Sequence, residues 1–245
     1  MHIYQKLLLL LIICSMMASC KHSKVDFETI IPSPGQELRL YIAVNQGLIY
    51  YLIKKQDIVV GWSNLYASDQ AVDSALLWKH FSTDTKPGIQ KKLPKQIQET
   101  IYGENPHNEA EIGFKTNSED NFTFYLQFIV SDNGIAFRFK LPETAGNNAL
   151  AYTEIVLHKD LAPWKMDMET SSNDEKPFVI TAGLPVTFIS GKSAKLNIFE
   201  VPAGNDTIIH DFNDTEDQKY FFTSEDFTMQ DDFLYSSWRV LKIVE

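Results

Sequence analysis

The residue with the most specific chemistry in the sequence is Cys20, the last residue of the Met-Ala-Ser-Cys segment 17–20. Before it, Lys6 supplies a positive charge and residues 7–13 form an apolar run that is too short to span a bilayer as a stable helix. The pattern is typical of a secretion signal, and a cysteine directly after the cut offers its thiol and its new amino group to lipid. It favours a bacterial lipobox over an ordinary signal peptide with an accidental cysteine. We predict a signal peptide at 1–19, lipidation of Cys20, and attachment to the bacterial cell envelope, on a side that the sequence leaves open.

Motifs of other reactive sites are missing from the sequence. It contains no phosphate-binding glycine loop, no paired CxxC, no HExxH and no G-x-S-x-G. The six histidines are scattered, with none at i,i+4 spacing, which argues against a zinc site. Carboxylates are abundant, but nothing in their spacing selects an acid/base pair. None of these patterns therefore points to a catalytic residue or to a cofactor.

Charge and composition limit the class of protein and its partners. The net charge of −10 describes an acidic surface, which repels phosphate backbones and anionic headgroups. Nucleic acid is thereby excluded as a partner, and membrane attachment has to come from the lipid. A hydrophobic content of 44% excludes disorder for most of the chain. Removal of the signal leaves one cysteine, so no internal disulfide forms and the domain depends on its hydrophobic core.

Alternating polarity and turn signals predict a domain made of strands. Residues 37–42 alternate polar and apolar side chains, and β-branched or aromatic runs at 48–53 and 58–60 flank a turn. Further strands are predicted at 122–130, 135–140, 153–157, 178–181, 186–189, 195–199, 220–222 and 238–244. We expect an all-β fold, a large β-sandwich (supersandwich) of about ten or more mostly antiparallel strands over residues 32–245, after a tether at 20–31. One short helix is predicted at 66–81, and a loop or sheet edge at 82–110.

The most informative local pattern is the turn signal 131–134, Ser-Asp-Asn-Gly, between two strands. Asn-Gly tolerates positive φ and is predicted to form the centre of a hairpin turn. Phe137 and Phe139 then share one face of the second strand, which we place in the core. Arg138 points to the opposite face, where we expect a solvated or salt-bridged side chain, with a ligand-binding arginine as the alternative.

This hairpin resembles the D-G-x-A-F-R-Y hairpin of the amino-terminal domain of glycoside hydrolase family 97. Four other segments resemble that domain's motifs and occur in the same order: Ser33-Pro34-Gly35 its S-P-D-G opening, Asn108-Glu109 its N-E pair, 196–200 its Y-I-x-x-H-E-A strand, and 237–244 its closing P-W-R-T-I-I-V strand. The resemblance covers essentially the whole chain after the signal. The hairpin and the W-R strand are its most specific parts.

The resemblance implies a role in the chemistry of α-linked sugars. In the family the sandwich precedes a (β/α)₈ barrel of about 250 residues, which carries the acid and base carboxylates. We expect this chain to have no complete active site. The leading hypothesis is a lipid-anchored module with a scaffold or carbohydrate-binding role. The alternatives are part of a truncated or split α-glycosidase that needs a separate barrel, and an unrelated lipoprotein adhesin. The corresponding partners are a glycan, a barrel-bearing chain or a second copy of this chain.

The resemblance also implies two site residues. In the family the sandwich lends an acidic residue to a calcium beside the barrel's active site, and by position this is Glu175, with Glu169 as the runner-up. One carboxylate cannot hold a cation that takes six to eight oxygens, so calcium is expected in the complete family enzyme and not here. A solvated acidic loop is the alternative. Trp164 is the candidate for sugar stacking or for the barrel interface, with a core position as the alternative.

Overall fold

A computed structural model describes residues 25–56, 58–68, 77–89, 97, 106–116, 122–148, 150–158, 164–166, 186–190, 195–201, 207–211, 217–224 and 227–244. Apart from one 3₁₀ helix, Glu143–Asn148, and the isolated helical residue Ile97, the elements in these ranges are strands. None of the described helices is long and apolar enough to cross a membrane.

The strands form two sheets. The first has seven strands: β1 Phe27–Pro32, β2 Leu38–Asn45, β3 Leu48–Lys55, β4 Ile58–Ser68, β9 Leu150–His158, β13 Thr207–Asp211 and β14 Asp217–Ser224. The second has ten: β5 Trp78–Ile89, β6 His107–Thr116, β7 Thr123–Ser131, β8 Gly134–Pro142, β10 Trp164–Met166, β11 Val186–Ser190, β12 Lys195–Val201, β15 Phe227–Gln230, β16 Phe233–Ser236 and β17 Trp238–Val244.

Strand order places β8 near the middle of the larger sheet. The orders are β1-β2-β3-β4-β9-β14-β13 and β10-β11-β12-β17-β8-β7-β6-β5. On the side of β8 opposite β7, strand β17 pairs with its first half and β16 with its end. These three pairings of β8 are antiparallel, as are the other strand pairings that the structure describes. The predicted all-β sandwich is confirmed.

The core lies between the sheets and follows from the alternation of side chains along the strands. In β7 and β8 the alternation is interrupted near their shared turn, where both faces are buried. Strand β2 buries every second side chain, and β7 and β8 bury theirs on the facing side. Tyr51 of the seven-stranded sheet meets Phe137 of the ten-stranded sheet at 6.0 Å between ring centroids. Five phenylalanines are among the largest fully buried side chains: Phe114, Phe124, Phe128, Phe137 and Phe139. Phe137 and Phe139 therefore lie in the core, as predicted. Burial of each phenylalanine side chain contributes roughly 2–3 kcal/mol of transfer free energy to folding.

The helix predicted over 66–81 is wrong at both ends, since residues 66–68 end β4 and residues 78–81 begin β5. Its middle lies outside the described residues. Trp78 shows the reason. Its ring is buried edge-on against Phe124, with 4.7 Å between centroids, while the next residue, Lys79, is exposed. This alternation belongs to a strand, so pairing with β6 overrides the three-to-four residue spacing of apolar side chains.

The other sequence boundaries agree with the structure in part. Within 82–110, residues 82–89 form the outer part of the edge strand β5, and β6 begins at His107. The tether is shorter than predicted, because residues 27–31 already pair with β2. The strand predicted at 178–181 lies outside the described residues.

The motif residues gather at one end of the sandwich, where they connect the two sheets. The amide of Gly35, in the turn between β1 and β2, donates to Asp132 Oδ1 at 2.9 Å in the β7–β8 turn. The Asn108 side-chain amide donates to the carbonyl oxygen of Pro32 at 2.7 Å and accepts from the Gly88 amide at 2.7 Å. These contacts, termed the motif clamp, therefore fix the β1–β2 turn to strands of the opposite sheet.

Gly134 is required for a different reason from the one predicted. The centre of the β7–β8 turn is Asp132-Asn133, neither residue has positive φ, and Gly134 is already the first residue of β8. A Cβ at Gly134 would instead collide with the backbone carbonyl oxygen of Leu241 in β17. The glycine therefore permits close approach of two strands.

Gly35→Ala is expected to lower the free energy of unfolding by about 1.5–3 kcal/mol, the typical contribution of a hydrogen bond to a charged group. The new Cβ would lie 2.8 Å from Asp132 Oδ2, so the carboxylate has to move away from the Gly35 amide. Urea unfolding of Gly35→Ala, Asp132→Ala and the double variant measures this. In the Asp132→Ala background the glycine substitution should cost much less, and equal costs in both backgrounds would contradict the clamp.

A second contact joins the edge strands β1 and β5. The His80 ring stacks on Phe27 with 3.6 Å between centroids and 9° between planes, and Nε2 lies 2.8 Å from Thr83 Oγ1. Burial lowers the pKa of His80 from its ordinary value of 6.5, against a smaller raising effect of a hydrogen bond to the Ser82 backbone. The folded state thus disfavours the protonated ring.

Stability should therefore fall as the pH drops below 6.5, where the unfolded chain takes up the His80 proton more readily than the folded chain. Melting temperatures of wild type and His80→Gln are to be compared between pH 7.5 and pH 5. The wild type should lose more stability than the variant over this interval. An equal loss in both would show that His80 does not contribute.

Candidate functional site

The outward side of the ten-stranded sheet carries a row of polar side chains on three neighbouring strands. Glu111 of β6 lies directly opposite Gln127 of β7, and Gln127 lies opposite Arg138 of β8. Directly paired residues on one face of a sheet have side chains within contact distance. The register alone therefore brings a carboxylate, an amide and a guanidinium into one line across the sheet.

Hydrogen bonds hold this row in place. Arg138 Nε donates to Gln127 Oε1 at 2.8 Å, and Gln127 Nε2 donates to Glu111 Oε2 at 2.7 Å. Lys140 Nζ lies 3.1 Å from Glu111 Oε2 and 3.3 Å from Oε1. All four side chains are partly buried, so the row has defined positions before any ligand arrives.

Aromatic rings surround both cations. The Arg138 guanidinium carbon lies 4.1 Å from the ring centroid of Tyr235 and 4.6 Å from that of Trp238. Lys140 Nζ lies 4.3 Å from the centroid of Phe233 and 5.0 Å from that of Tyr125. Cation–π contacts of this kind are worth about 0.5–2 kcal/mol each, depending on desolvation.

Burial changes the chemistry of the arginine. It lowers the pKa of Arg138 below its ordinary value, and the nearby Tyr235 and Glu111 act against this shift. The group stays charged at neutral pH, because arginine is not deprotonated in proteins. The prediction of a solvated or ion-paired arginine is corrected accordingly. Arg138 is half-buried between two rings, with a neutral amide as its hydrogen-bond partner.

The rings form a continuous stripe across the sheet. Centroid separations are 5.6 Å from Phe81 to Tyr125, 6.2 Å from Tyr125 to Phe233 and 6.5 Å from Phe233 to Tyr235. Arg138 bridges Tyr235 to Trp238. Together these side chains are called the aromatic–cation face, and its members are Phe81, Glu111, Tyr125, Gln127, Arg138, Lys140, Phe233, Tyr235 and Trp238.

Neighbouring residues set the limits of the aromatic–cation face. Ile97, Ile129, Ala136 and Val240 form a small buried cluster on the same side of the sheet, and Trp238 packs against it. Near the other end, a Cβ at Gly113 would collide with the Ser82 hydroxyl and the Phe81 ring. The glycine thus leaves room for Phe81, which is 39% exposed.

Most of the site residues predicted from the sequence lie outside the part of the chain that the structure describes. Cys20, Glu169 and Glu175 lie outside the described residues. Trp164 lies in β10, the edge strand next to β11, and its backbone pairs with Ser190, but its side chain is not described. In the described part of the chain, no group of three His, Cys, Asp or Glu side chains is placed to hold a metal ion.

A family model described as Glycosyl-hydrolase 97 N-terminal matches residues 31–245. The chain belongs to the family of glycoside hydrolase 97 amino-terminal domains. The match covers the amino-terminal domain of the family, which confirms the resemblance inferred from the motifs. No curated protein matches the chain.

Solved structures share the fold of this family 97 domain. An enzyme of the family from Pseudoalteromonas sp. strain K8, in complex with acarbose, has 17% identity and a TM-score of 0.59, and a variant in complex with panose has 17% identity and a TM-score of 0.56. Each match covers 89% of this chain and 36% of that chain. A β-arabinopyranosidase has 13% identity and a TM-score of 0.50, with 88% and 40% covered. The chain thus spans little more than a third of these enzymes.

Gln127 is expected to stabilise the face through its two hydrogen bonds. Gln127→Met keeps the length of the side chain but removes the hydrogen bond from Arg138 Nε and the hydrogen bond to Glu111. Because both groups are partly buried, the loss should lower the free energy of unfolding by about 1–3 kcal/mol. Lys115→Met, at an exposed position on β6, is the control and should change stability by about 0.5 kcal/mol or less. Equal effects of the two substitutions in urea unfolding would contradict this role.

Proposed function

We propose that the chain is a lipid-anchored family 97 sandwich module that contacts carbohydrate through the aromatic–cation face, with a scaffold role and no complete active site of its own. One observation carries the proposal. Partly exposed aromatic rings lie beside hydrogen-bonding side chains that other protein groups already hold in position.

The chemistry of the face suits a sugar. The C–H side of a pyranose packs on an aromatic ring, while its hydroxyls need donors and acceptors at fixed positions nearby. Tyr235 and Trp238 provide the rings, and Gln127 and Glu111 provide the amide and carboxylate. Because these polar side chains are already ordered, little conformational entropy is lost on binding.

The choice of glycan to test follows from the family. Its members act on α-linked sugars, and a structural neighbour has been solved with panose, an α-linked glucose oligosaccharide. These ligands belong to those enzymes, and here they support a first test with maltoheptaose. The net charge of −10 does not oppose binding of a neutral glycan.

Tyr235→Ala is expected to weaken maltoheptaose binding by about tenfold, or about 1.4 kcal/mol, because the sugar loses its stacking ring. Tyr235→Phe keeps the ring and should retain most of the affinity. Leu48→Ala, at a 36% exposed position on the seven-stranded sheet, is the control and should bind like the wild type. Calorimetric titration of the full-length chain in detergent micelles measures all four proteins. Binding that is unchanged in Tyr235→Ala would contradict the assignment of this face.

The anchor is tested separately. Cells that produce the chain are fed a palmitate analogue, and the wild type should carry the label at Cys20 while Cys20→Ser should carry none. Loss of the lipid should also move the protein from the membrane fraction to the soluble fraction. Equal labelling of both forms would rule out lipidation at this cysteine.

A second candidate function is the sandwich part of an α-glycosidase that works with a (β/α)₈ barrel supplied separately. The fold supports it, since 89% of the chain matches a part, 36%, of the family 97 enzyme solved with acarbose. The two functions differ in their partner. Tight binding of a barrel-bearing chain, with α-glucosidase activity only in the mixture, would support the second.

A further inference from the structure

The charges of the aromatic–cation face do not balance. It contains two cations, Arg138 and Lys140, and one carboxylate, Glu111. Both oxygens of Glu111 lie within 3.3 Å of Lys140 Nζ, whereas Arg138 reaches Glu111 only through the neutral Gln127. Within the described residues, Glu111 forms its ion pair with Lys140. Arg138 makes no direct ion pair there, and Glu111 offsets its charge only in part, without contact.

The hydrogen-bonding capacity of Arg138 is also only partly used. Its Nε donates to Gln127, while neither of its terminal nitrogens has a hydrogen bond to a residue that the structure describes. The rings of Tyr235 and Trp238 hold the guanidinium in place and offset part of its desolvation. Retaining a half-buried cation without a direct ion pair is costly for folding alone. Such an arrangement is expected of an arginine whose ion pair and hydrogen bonds are completed by a bound ligand.

We propose that the ligand of the aromatic–cation face carries an acidic group, a carboxylate or a sulfate ester on the sugar, which the two terminal nitrogens of Arg138 bind. The inference rests on the proposed function and adds the charge class of the glycan. A guanidinium offers two parallel N–H donors that match two oxygens of such a group. The sugar that carries the acid then stacks on the adjoining rings.

The overall charge makes this position selective. A chain with a net charge of −10 repels acidic glycans over most of its surface, so they are favoured only where a local positive charge is not fully compensated. Binding should therefore depend on salt, because the interaction is partly exposed and is screened as ionic strength rises.

The test uses three forms of one oligosaccharide: maltoheptaose, its derivative oxidised to carboxylates at the C6 positions, and its 6-O-sulfated derivative. Each is titrated into the full-length chain in micelles. The wild type should bind at least one acidic form about tenfold more tightly than the neutral form. Arg138→Gln should remove this preference. The control is Arg39→Gln, which removes a positive charge at an exposed position on β2. This variant should retain the preference for the acidic form.

Melting curves show whether Arg138→Gln is folded. Should it not fold, Arg138→Lys takes its place, since it keeps the charge but not the paired donors, and the preference for the acidic form should drop at least severalfold. Comparing the carboxylated and sulfated forms identifies the acidic group.

Equal affinity of the wild type for neutral and acidic forms, with binding still weakened by Tyr235→Ala, would overturn the inference and leave the proposed function in place. A preference that survives in Arg138→Gln would also overturn it. Failure of all three sugars to bind would overturn the proposed function and the inference together.

Discussion

Strand β8 has to serve two surfaces at once, and this constraint determines both the fold and the site. Successive side chains of a strand point to opposite faces, so Phe137 and Phe139 enter the core only if Arg138 and Lys140 face outward. A register slip of one residue would bury both cations and expose both rings. The apolar core thus fixes the position of the cations, and the chemistry of the outer face depends on burial of the inner one.

The motif clamp helps to hold that register. Asp132 binds the Gly35 amide from the turn that leads into β8, and Gly134 lets β17 approach closely enough to pair with it. Strand β17 carries Trp238, and the pairing of β16 with the end of β8 positions Tyr235. The motif residues Gly35, Asp132 and Gly134 therefore act on the fold and support the site by aligning the strands that form it. Arg138 and Trp238, which belong to the same motifs, are part of the site itself.

Local patterns predicted the hairpin well and its surroundings poorly. Alternation around Phe137 was sufficient to place Arg138 on the outer face, because that inference needs only one strand. The partners of Arg138 were not predictable in this way. Tyr235 and Gln127 reach it through pairings between strands, and the contact with Tyr235 spans almost a hundred residues of sequence. The helix predicted at 66–81 is wrong for the same reason, since pairing of β5 with a distant segment decides the conformation of Trp78. The untested residues Cys20, Glu175 and Trp164 remain predictions from the sequence.

The central claim is that the aromatic–cation face binds the glycan, and mapping the bound surface tests it most directly. The ¹⁵N-labelled full-length chain in micelles is titrated with carboxylated maltoheptaose while the side-chain resonances of Arg138 Nε–H, the Gln127 amide and the Trp238 indole are followed. These resonances should shift together and saturate with the same apparent Kd, while backbone amides of the seven-stranded sheet stay unchanged. Shifts that are confined to the seven-stranded sheet or to the indole of Trp164, with the Arg138 resonance unchanged at saturation, would contradict the account.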